Sequence, residues 1–330
     1  MRKAALLLGF YNTRRKRGKT MQISILLAQQ IAQLFLILIM GYAVVKAGLL
    51  KASDSRVLSV VMVYLVTPCV IINAFQIDDT PEIRKGLLYS MAIAAAIHVV
   101  LLVLSALLSR PLKLDAVEQV NVIYSNAAAL VIPLVKALMG DAYVIYSCAF
   151  IIVQLVLLWT HASSLLQGSS ALDWKKVLTN INMIAIAAGA LLYWFRVVLP
   201  APLQNTMSTV GNMMGPMGML LAGMAIAEKP LREVFCTRRN YLPTVLRLVV
   251  CPLVVLVLLW VCHASSWVAD GKNILMTVYL AAITPACATV TSMAQLYDRD
   301  AAHSSALYVL TTLLSIVSMP VMIGLFDLLL

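Results

Sequence analysis

The stretch that decides the fold class runs from Leu87 to Leu108 and reads LLYSMAIAAAIHVVLLVLSALL. It carries no Asp, Glu, Lys or Arg, and its apolar residues are continuous instead of alternating with polar ones. A transmembrane α-helix needs about 20 such residues, whereas a transmembrane strand shows about 10 residues of alternating polarity. The stretch therefore predicts a membrane-spanning helix.

The composition of the whole chain agrees with this prediction. Of its 330 residues 62% are hydrophobic and 12% are charged, and the mean hydropathy is +0.92. Since about a quarter of the residues in a soluble chain are charged, we expect a polytopic membrane protein whose main surroundings are the lipid bilayer. The net charge of +11 then reports on loop topology rather than on nucleic-acid binding, and we expect no nucleic-acid partner.

The same criterion predicts ten membrane-spanning helices joined by short connections. They are Ile23–Val45, Val57–Phe75, Leu87–Leu108, Val120–Met139, Tyr143–Leu165, Val177–Val198, Met207–Ala227, Tyr241–Cys262, Ile274–Leu296 and Ala306–Leu329. We therefore predict an all-α protein with a single transmembrane domain over residues 21–330. Because many carriers are built from inverted repeats, ten spans suggest two halves of five, at about 21–168 and 173–330.

Residues 1–20 differ from this domain, since seven of the 25 basic residues precede Met21. We predict a disordered basic extension there, or a natural start of the protein at Met21. Counted from Met21, the connections on one side of the membrane carry five basic residues and those on the other carry twelve. The positive-inside rule then places both termini outside the cell.

Helix breakers and small polar residues coincide in the fourth and ninth spans. The fourth reads YSNAAALVIPLVKALMGD from Tyr124, and the ninth reads ITPACATVTSMAQLYD from Ile283. Aligned with Ser125 opposite Pro285, both pass from a breaker through small residues into a second apolar half. We predict that both helices are broken. An interruption at mid-membrane is tolerated only where the backbone faces protein or a water-filled cavity, and half-helix N-termini attract anions.

These two spans supply the candidate site residues. The predicted substrate-binding residues are Ser125, Asn126, Thr284, Pro285, Thr289 and Thr291. A second set, with gating or secondary roles, comprises Lys136, Asn73, Thr312 and Ser315. For an isolated hydroxyl the alternative is a structural bond between helices, worth ~0.6 kcal/mol.

The titratable residues argue against several other kinds of site. All fourteen acidic residues map to loops or span ends, which disfavours exchange through a buried acid pair. The six cysteines form no CxxC pair and the four histidines are scattered, so we predict neither a metal site nor a cofactor. A membrane-embedded enzyme remains an alternative, although His303 beside Ser304 lacks a third catalytic partner. A receptor or scaffold on a carrier-like fold is a further alternative.

Four motifs in the same order resemble the auxin efflux carrier family, which includes plant PIN-formed carriers and bacterial malonate and malate permeases. They are GYAVVKAGLL from Gly41, LVTP from Leu65, the stretch from Asn126 through IPLVK to Gly140, and TTLLSIVSMP from Thr311. By this resemblance, Asn126 matches the asparagine after the first crossover, Lys136 matches the lysine that follows Ile-Pro, and Pro285 of the ninth span matches the second crossover proline. Family members with proline at both crossovers have the first proline directly before this asparagine. The present chain has Ser125 at that position, so the resemblance implies a milder first break.

The resemblance implies two inverted repeats of five helices, with helices four and nine crossing at the site. It also implies a scaffold domain, a transport domain, and an elevator-like alternating-access motion that moves small carboxylates. Because the predicted loop between spans five and six is short, the chain resembles the compact permeases of the bacterial inner membrane. We therefore expect a permease for small organic anions and not an enzyme; a homodimer is left open.

Overall fold

The computed structural model describes residues 29, 32–33, 35–76, 80–168, 179, 181–227 and 231–330. Within these ranges the chain is helical, and its strand pairing is limited to an isolated bridge. The helices are α1 Phe35–Lys46, α2 Ala52–Ala74, α3 Pro81–Ser109, α4 Ala116–Ile123, α5 Ala127–Met139, α6 Val144–Gln167, α7 Ile181–Trp194, α8 Ala201–Ile226, α9 Leu231–Cys236, α10 Arg238–Val261, α11 Gly271–Ile283, α12 Ala288–Leu296 and α13 Ala301–Leu329. The predicted extension at 1–20 lies outside the described residues.

Six of these helices, α2, α3, α6, α8, α10 and α13, are long and apolar enough to cross a membrane. Three more, α1, α7 and α11, are apolar but shorter. The prediction of an all-helical protein with several membrane spans is therefore confirmed. The predicted first and sixth spans are described only in part, as α1 and α7, and the predicted fourth and ninth spans are each divided into two helices.

Side chains at the helix starts explain where several elements begin. The side chain of Thr80 accepts a hydrogen bond from the backbone N–H of Ile83, and Pro81 occupies the first position of α3. Asp115 and Glu118 form a capping box at the start of α4. At the start of α13, Asp300 accepts a bond from the backbone N–H of His303. Such residues satisfy N–H groups that have no partner within the helix.

Wide π-helical turns interrupt three of the long helices. They cover Met62–Val66 in α2, Leu158–Ala162 in α6 and Leu246–Val250 in α10. The first and third π turns lie just before Pro68 and Pro252. A proline lacks an N–H, and its ring clashes with the preceding turn of a regular α-helix, so the helix widens there. Single π turns are frequent at functional sites, and the third contains a buried arginine described below.

The described helices pack into two hydrophobic clusters. The larger is built mainly from α3, α4, α5, α6, α10 and α11. The smaller joins α1, α2 and the second half of α8 to the starts of α12 and α13, and it is rich in methionine. Small residues bring α1 and α8 into close contact there, because a Cβ atom on Gly223 would lie 2.0 Å from the carbonyl oxygen of Leu38. Small residues at helix interfaces allow this approach in membrane proteins.

Candidate functional site

The two predicted broken spans are interrupted next to one another. The first break separates α4, which ends at Ile123, from α5, and the second separates α11 from α12, which begins at Ala288. Ser125 and Ala286 form an antiparallel bridge between the breaks. The N–H of Asn126 donates to the carbonyl oxygen of Pro285 at 2.8 Å. The N–H of Cys287 donates to the carbonyl oxygen of Tyr124 at 3.1 Å. The two interrupted helices therefore cross and are bonded at their breaks.

The bridge corrects the alignment of the two breaks. The sequence comparison set Ser125 opposite Pro285, but the structure sets Ser125 opposite Ala286. The reason is that the first break leaves three residues outside the helices, 124–126, and the second leaves four, 284–287. Because the bridge is antiparallel, Pro285 faces Asn126 across it, and Cys287 faces Tyr124.

A buried arginine on α10 binds both breaks. The side chain of Arg247 is 1% exposed and lies in the third π turn. It donates to the carbonyl oxygens of Val122 and Ile123, both at 3.1 Å. It also donates to those of Ala282 and Thr284, at 2.6 and 2.8 Å. Arg247 thus satisfies carbonyl groups at the C-terminal ends of α4 and α11, which have no partners within their helices.

The residue Ser125 is bonded to α6 through Gln154. The backbone N–H and the hydroxyl of Ser125 both donate to Oε1 of Gln154, at 2.9 and 2.7 Å. The Nε2 group of Gln154 returns a bond of 2.8 Å to the carbonyl oxygen of Ser125. The neighbouring Tyr124 hydroxyl contacts Nδ1 of His161 at 3.0 Å. In this conformation the Ser125 side chain holds the break in place.

Asn126 and the second break contact α13. The Nδ2 group of Asn126 lies 3.4 Å from the hydroxyl of Tyr308. The hydroxyl of Thr311 accepts a bond of 3.1 Å from the backbone N–H of Ala286. Asn126 is buried, with 3% of its surface exposed. The 3.4 Å contact between its Nδ2 group and the Tyr308 hydroxyl is long for a hydrogen bond.

The three predicted threonines occupy different surroundings. Thr284 donates its hydroxyl to the carbonyl oxygen of Ala281. Thr289 is buried in the first turn of α12. Thr291 lies two residues further along α12, and its hydroxyl contacts that of Ser304 at 3.1 Å. Of the three, Thr289 lies at the start of a half-helix, where an anion is best stabilised.

The residues of the second set are spread more widely. Lys136 belongs to α5, and Asn73 is half-buried near the end of α2. The hydroxyl of Ser315 donates to the carbonyl oxygen of Thr312 at 2.7 Å. The hydroxyl of Thr312 is buried and has no hydrogen-bond partner among the described residues. The buried hydroxyl of Thr312 is therefore available to bind another group.

The first turns of α5 and α12 supply the electropositive part of the site. The first N–H groups of an α-helix have no intrahelical partner and carry about half an elementary positive charge. Both first turns begin directly after the bridge, at Ala127 and Ala288. The crossing therefore brings together two helix starts, Asn126 and Thr289. This combination suits a small anion that accepts hydrogen bonds.

A second polar cluster lies at the start of α4. Glu118 is 1% exposed, accepts a bond of 2.6 Å from Nε of Arg239, and has Nε2 of His303 3.6 Å away. Ligand atoms of Asp115, Glu118 and His303 lie within 4.8 Å of one another. Because Arg239 already pairs with the Glu118 carboxylate, the cluster works as a salt-bridged contact between α4, α10 and α13.

The sequence analysis missed Arg247, Gln154 and Tyr308. Its count of basic residues considered the predicted connections, and Arg247 lies within a span. The signal was present, because an arginine inside an apolar segment marks a functional site. Gln154 gave a weaker signal as an uncharged polar residue at mid-span, and Tyr308 gave none that separates it from a lipid-facing tyrosine.

Comparison with known proteins identifies the family of this chain. The family model described as "Membrane transport protein" matches the chain twice, at residues 26–173 and 169–323. No curated protein matches the chain. The two matches cover most of the sequence in two successive halves, each of which contains one of the interrupted helices. The chain thus belongs to the auxin efflux carrier family of membrane transporters, which is not an enzyme family.

Proposed function

We propose that this carrier moves small organic anions, carboxylates in the first place, across the membrane by alternating access. The observation that carries the proposal is the bonded crossing of the two interrupted helices at Ser125 and Ala286. It turns two helix N-termini and neutral polar side chains toward one region, and such ends bind anionic groups of substrates in carriers with discontinuous helices. The proposed substrate-binding residues are Asn126 and Thr289, supported by Ser125, Thr284, Pro285 and Thr291.

We propose ten spans in two inverted repeats for the membrane topology. Contacts between connecting segments support this arrangement. In it, connections 4–5 and 8–9 share one side, where the Tyr143 hydroxyl donates to Asp270 at 2.5 Å. Connections 1–2 and 9–10 share the other, where Arg56 pairs with Asp298 at 2.7 Å. Each contact joins segments that alternating spans would bring to the same side.

The two hydrophobic clusters support a division into a scaffold and a moving part. The interface between the starts of α12 and α13 and the second half of α8 is close, and the Ser305 hydroxyl of α13 donates to the carbonyl oxygen of Ala222 in α8 at 2.6 Å. A Cβ atom on Gly218 would lie 2.8 Å from that of Ala288, and the Tyr308 hydroxyl donates to the sulfur of Met219. Small residues and flexible methionines suit a surface along which helices slide. We place this carrier in the bacterial inner membrane, and a homodimer remains a proposal.

The experiment that tests the function is uptake into proteoliposomes. The purified protein is reconstituted, and uptake of a panel of radiolabelled mono- and dicarboxylates is measured with the membrane potential and the ion gradients imposed separately. Saturable uptake of one or more carboxylates supports the proposal. Uptake of neutral or cationic solutes only, or binding without transport as a receptor would show, would contradict it.

A further inference from the structure

The guanidinium of Arg247 uses all its hydrogen-bonding capacity on the backbone. An arginine has five N–H donors, and Arg247 makes five bonds to the carbonyl oxygens of Val122, Ile123, Ala282 and Thr284. Thr284 accepts two of the five, at 3.0 and 2.8 Å. The orientation of the Arg247 side chain is therefore fixed by two other helices, α4 and α11.

The charge of Arg247 is balanced by helix ends. Among the residues that the structure describes, the carboxylates in ion pairs contact Arg56, Arg239 and His303, and none contacts Arg247. The bonded carbonyls belong to the last turns of α4 and α11 and to the residue after α11. Each helix C-terminus carries about half an elementary negative charge, so two of them together match one guanidinium.

The same set of ligands binds sodium in other carriers. In secondary transporters with discontinuous helices, unwound backbone carbonyls and the C-terminal ends of half-helices coordinate the coupling cation. Here four such carbonyls from both crossing helices surround one position, and a guanidinium fills it. A sodium ion would have to displace five hydrogen bonds and would meet a buried positive charge.

We propose that Arg247 is a built-in cation of the transport site, which takes the place of a coupled sodium ion and makes anion transport independent of sodium. This inference rests on the proposed function, because it concerns how an anion carrier balances its site. The carbonyls that Arg247 binds precede the two bridge residues in the chain, and the first turns of α5 and α12 begin just after those residues. Arg247 therefore cancels the negative C-terminal ends of α4 and α11, which would otherwise oppose an anion at the helix starts, and so acts as a positioning and charge-setting residue.

The first test measures uptake of the carboxylate panel with sodium replaced by choline on both sides of the membrane. The wild-type rate should be unchanged, and a loss of about tenfold or more, the size of an ordinary coupling effect, would overturn the inference. Failure of the proposed function gives a different result, namely no carboxylate uptake by the wild type in either medium. In that case the stability measurement below still tests Arg247.

The second test replaces the charge. Arg247→Lys keeps a positive charge and should retain sodium-independent uptake at a reduced rate, whereas Arg247→Gln should lose uptake. Arg238→Gln is the matched control, because Arg238 is exposed at the start of the same helix, and its uptake should equal that of the wild type. Equal losses in the Lys and Gln variants would show that charge is not what the site requires, which would overturn the proposal.

The third test needs no substrate. Arg247→Ala leaves a cavity lined by four carbonyl oxygens, so millimolar guanidinium should raise the melting temperature of the detergent-purified variant. The same guanidinium concentration should not raise that of the wild type or of Arg238→Gln. If Arg247→Ala does not fold, the measurement is made on Arg247→Gln at increasing sodium concentration, where sodium should stabilise the variant and not the wild type. Absence of cation-specific stabilisation in the folded variant would contradict a cation site.

Discussion

The backbone N–H of Asn126 lies 2.8 Å from the carbonyl oxygen of Pro285, to which it donates. This bond joins the residue before α5 to the break before α12, and the bond from Cys287 to Tyr124 runs beside it in the opposite sense. A displacement of one interrupted helix would therefore carry the other with it. Any motion that exposes the site to the second side of the membrane has to move both crossings as a unit.

The first prediction concerns the side chain of Asn126. Asn126→Ala should abolish carboxylate uptake and leave expression and melting temperature near those of the wild type, because the backbone makes the bond to Pro285 and the contact of the side chain with Tyr308 is long, at 3.4 Å. Asn212→Ala, at an exposed turn in α8, is the control. Uptake at the wild-type rate by Asn126→Ala protein would remove Asn126 from the site.

The second prediction concerns the close contact of α1 and α8. Gly223→Ala should destabilise the protein by about 1–3 kcal/mol, the usual cost of overpacking, since the new methyl group would lie 2.0 Å from the carbonyl oxygen of Leu38. Gly324→Ala in α13 is the control, because a Cβ atom there has no neighbour within 4 Å. Thermal unfolding in detergent compares the two. Equal melting temperatures would show that α1 and α8 are not in contact at Gly223.

The third prediction concerns the buried carboxylate of Glu118. Glu118→Gln removes the charge that pairs with Arg239 and should lower stability by about 1–3 kcal/mol, as for other charged hydrogen bonds. The effect is moderated because the Arg239 side chain is 40% exposed. Glu82→Gln, an exposed residue in the first turn of α3, should change stability much less. A similar small change in both variants would contradict a structural role of the ion pair.

The fourth prediction concerns orientation in the membrane. Single cysteines introduced at Ala269 and Arg232, both exposed, should react with an impermeant thiol reagent from opposite sides, with residue 269 periplasmic and residue 232 cytoplasmic. The background has to be cysteine-free, since Cys236 and Cys262 are exposed. The reverse labelling would mean that the seven basic residues before Met21 override the charge difference between the loops.

The fifth prediction concerns the driving force. One elementary charge moved through 100 mV is worth ~2.3 kcal/mol, enough for a gradient of about 50-fold in a monoanion. We expect the membrane potential to drive net uptake, measured with potential and pH gradient clamped independently. Two histidines are candidates for carrying protons, since His161 contacts the Tyr124 hydroxyl at the first break and His98 is buried in α3. Accumulation of a permanently charged substrate by a pH gradient alone, in the His98→Ala/His161→Ala double variant, would show that another group carries protons.

Local sequence features were sufficient for the helices and their breaks. Apolar runs such as Leu87–Leu108 lie within α3 because a membrane span needs little more than length and hydropathy. The breaks were found because small polar residues and Pro285 interrupt apolar segments. Their relative register was off by one residue, because the lengths of the two breaks, 124–126 and 284–287, depend on how the helices cross.

The partners within the site could not be predicted from one sequence. Ser125 meets Gln154 across 29 positions, and Arg247 meets Val122 across 125. Such pairs are set by the packing of whole helices, about which local patterns say nothing. Even so, the sequence held an unused signal, since Arg247 interrupts an otherwise apolar span and needs buried partners.

The partners of Arg247 also have a genetic consequence. All four are peptide carbonyls, which a missense mutation at Val122, Ile123, Ala282 or Thr284 cannot delete. The chemical identity of the site therefore depends on a single codon, that of Arg247, while its acceptors are protected from point mutation. In a saturation library scored for uptake, position 247 should tolerate almost no replacement. The acceptor positions Val122, Ile123 and Ala282, whose side chains have no proposed role in substrate binding, should tolerate residues of suitable size.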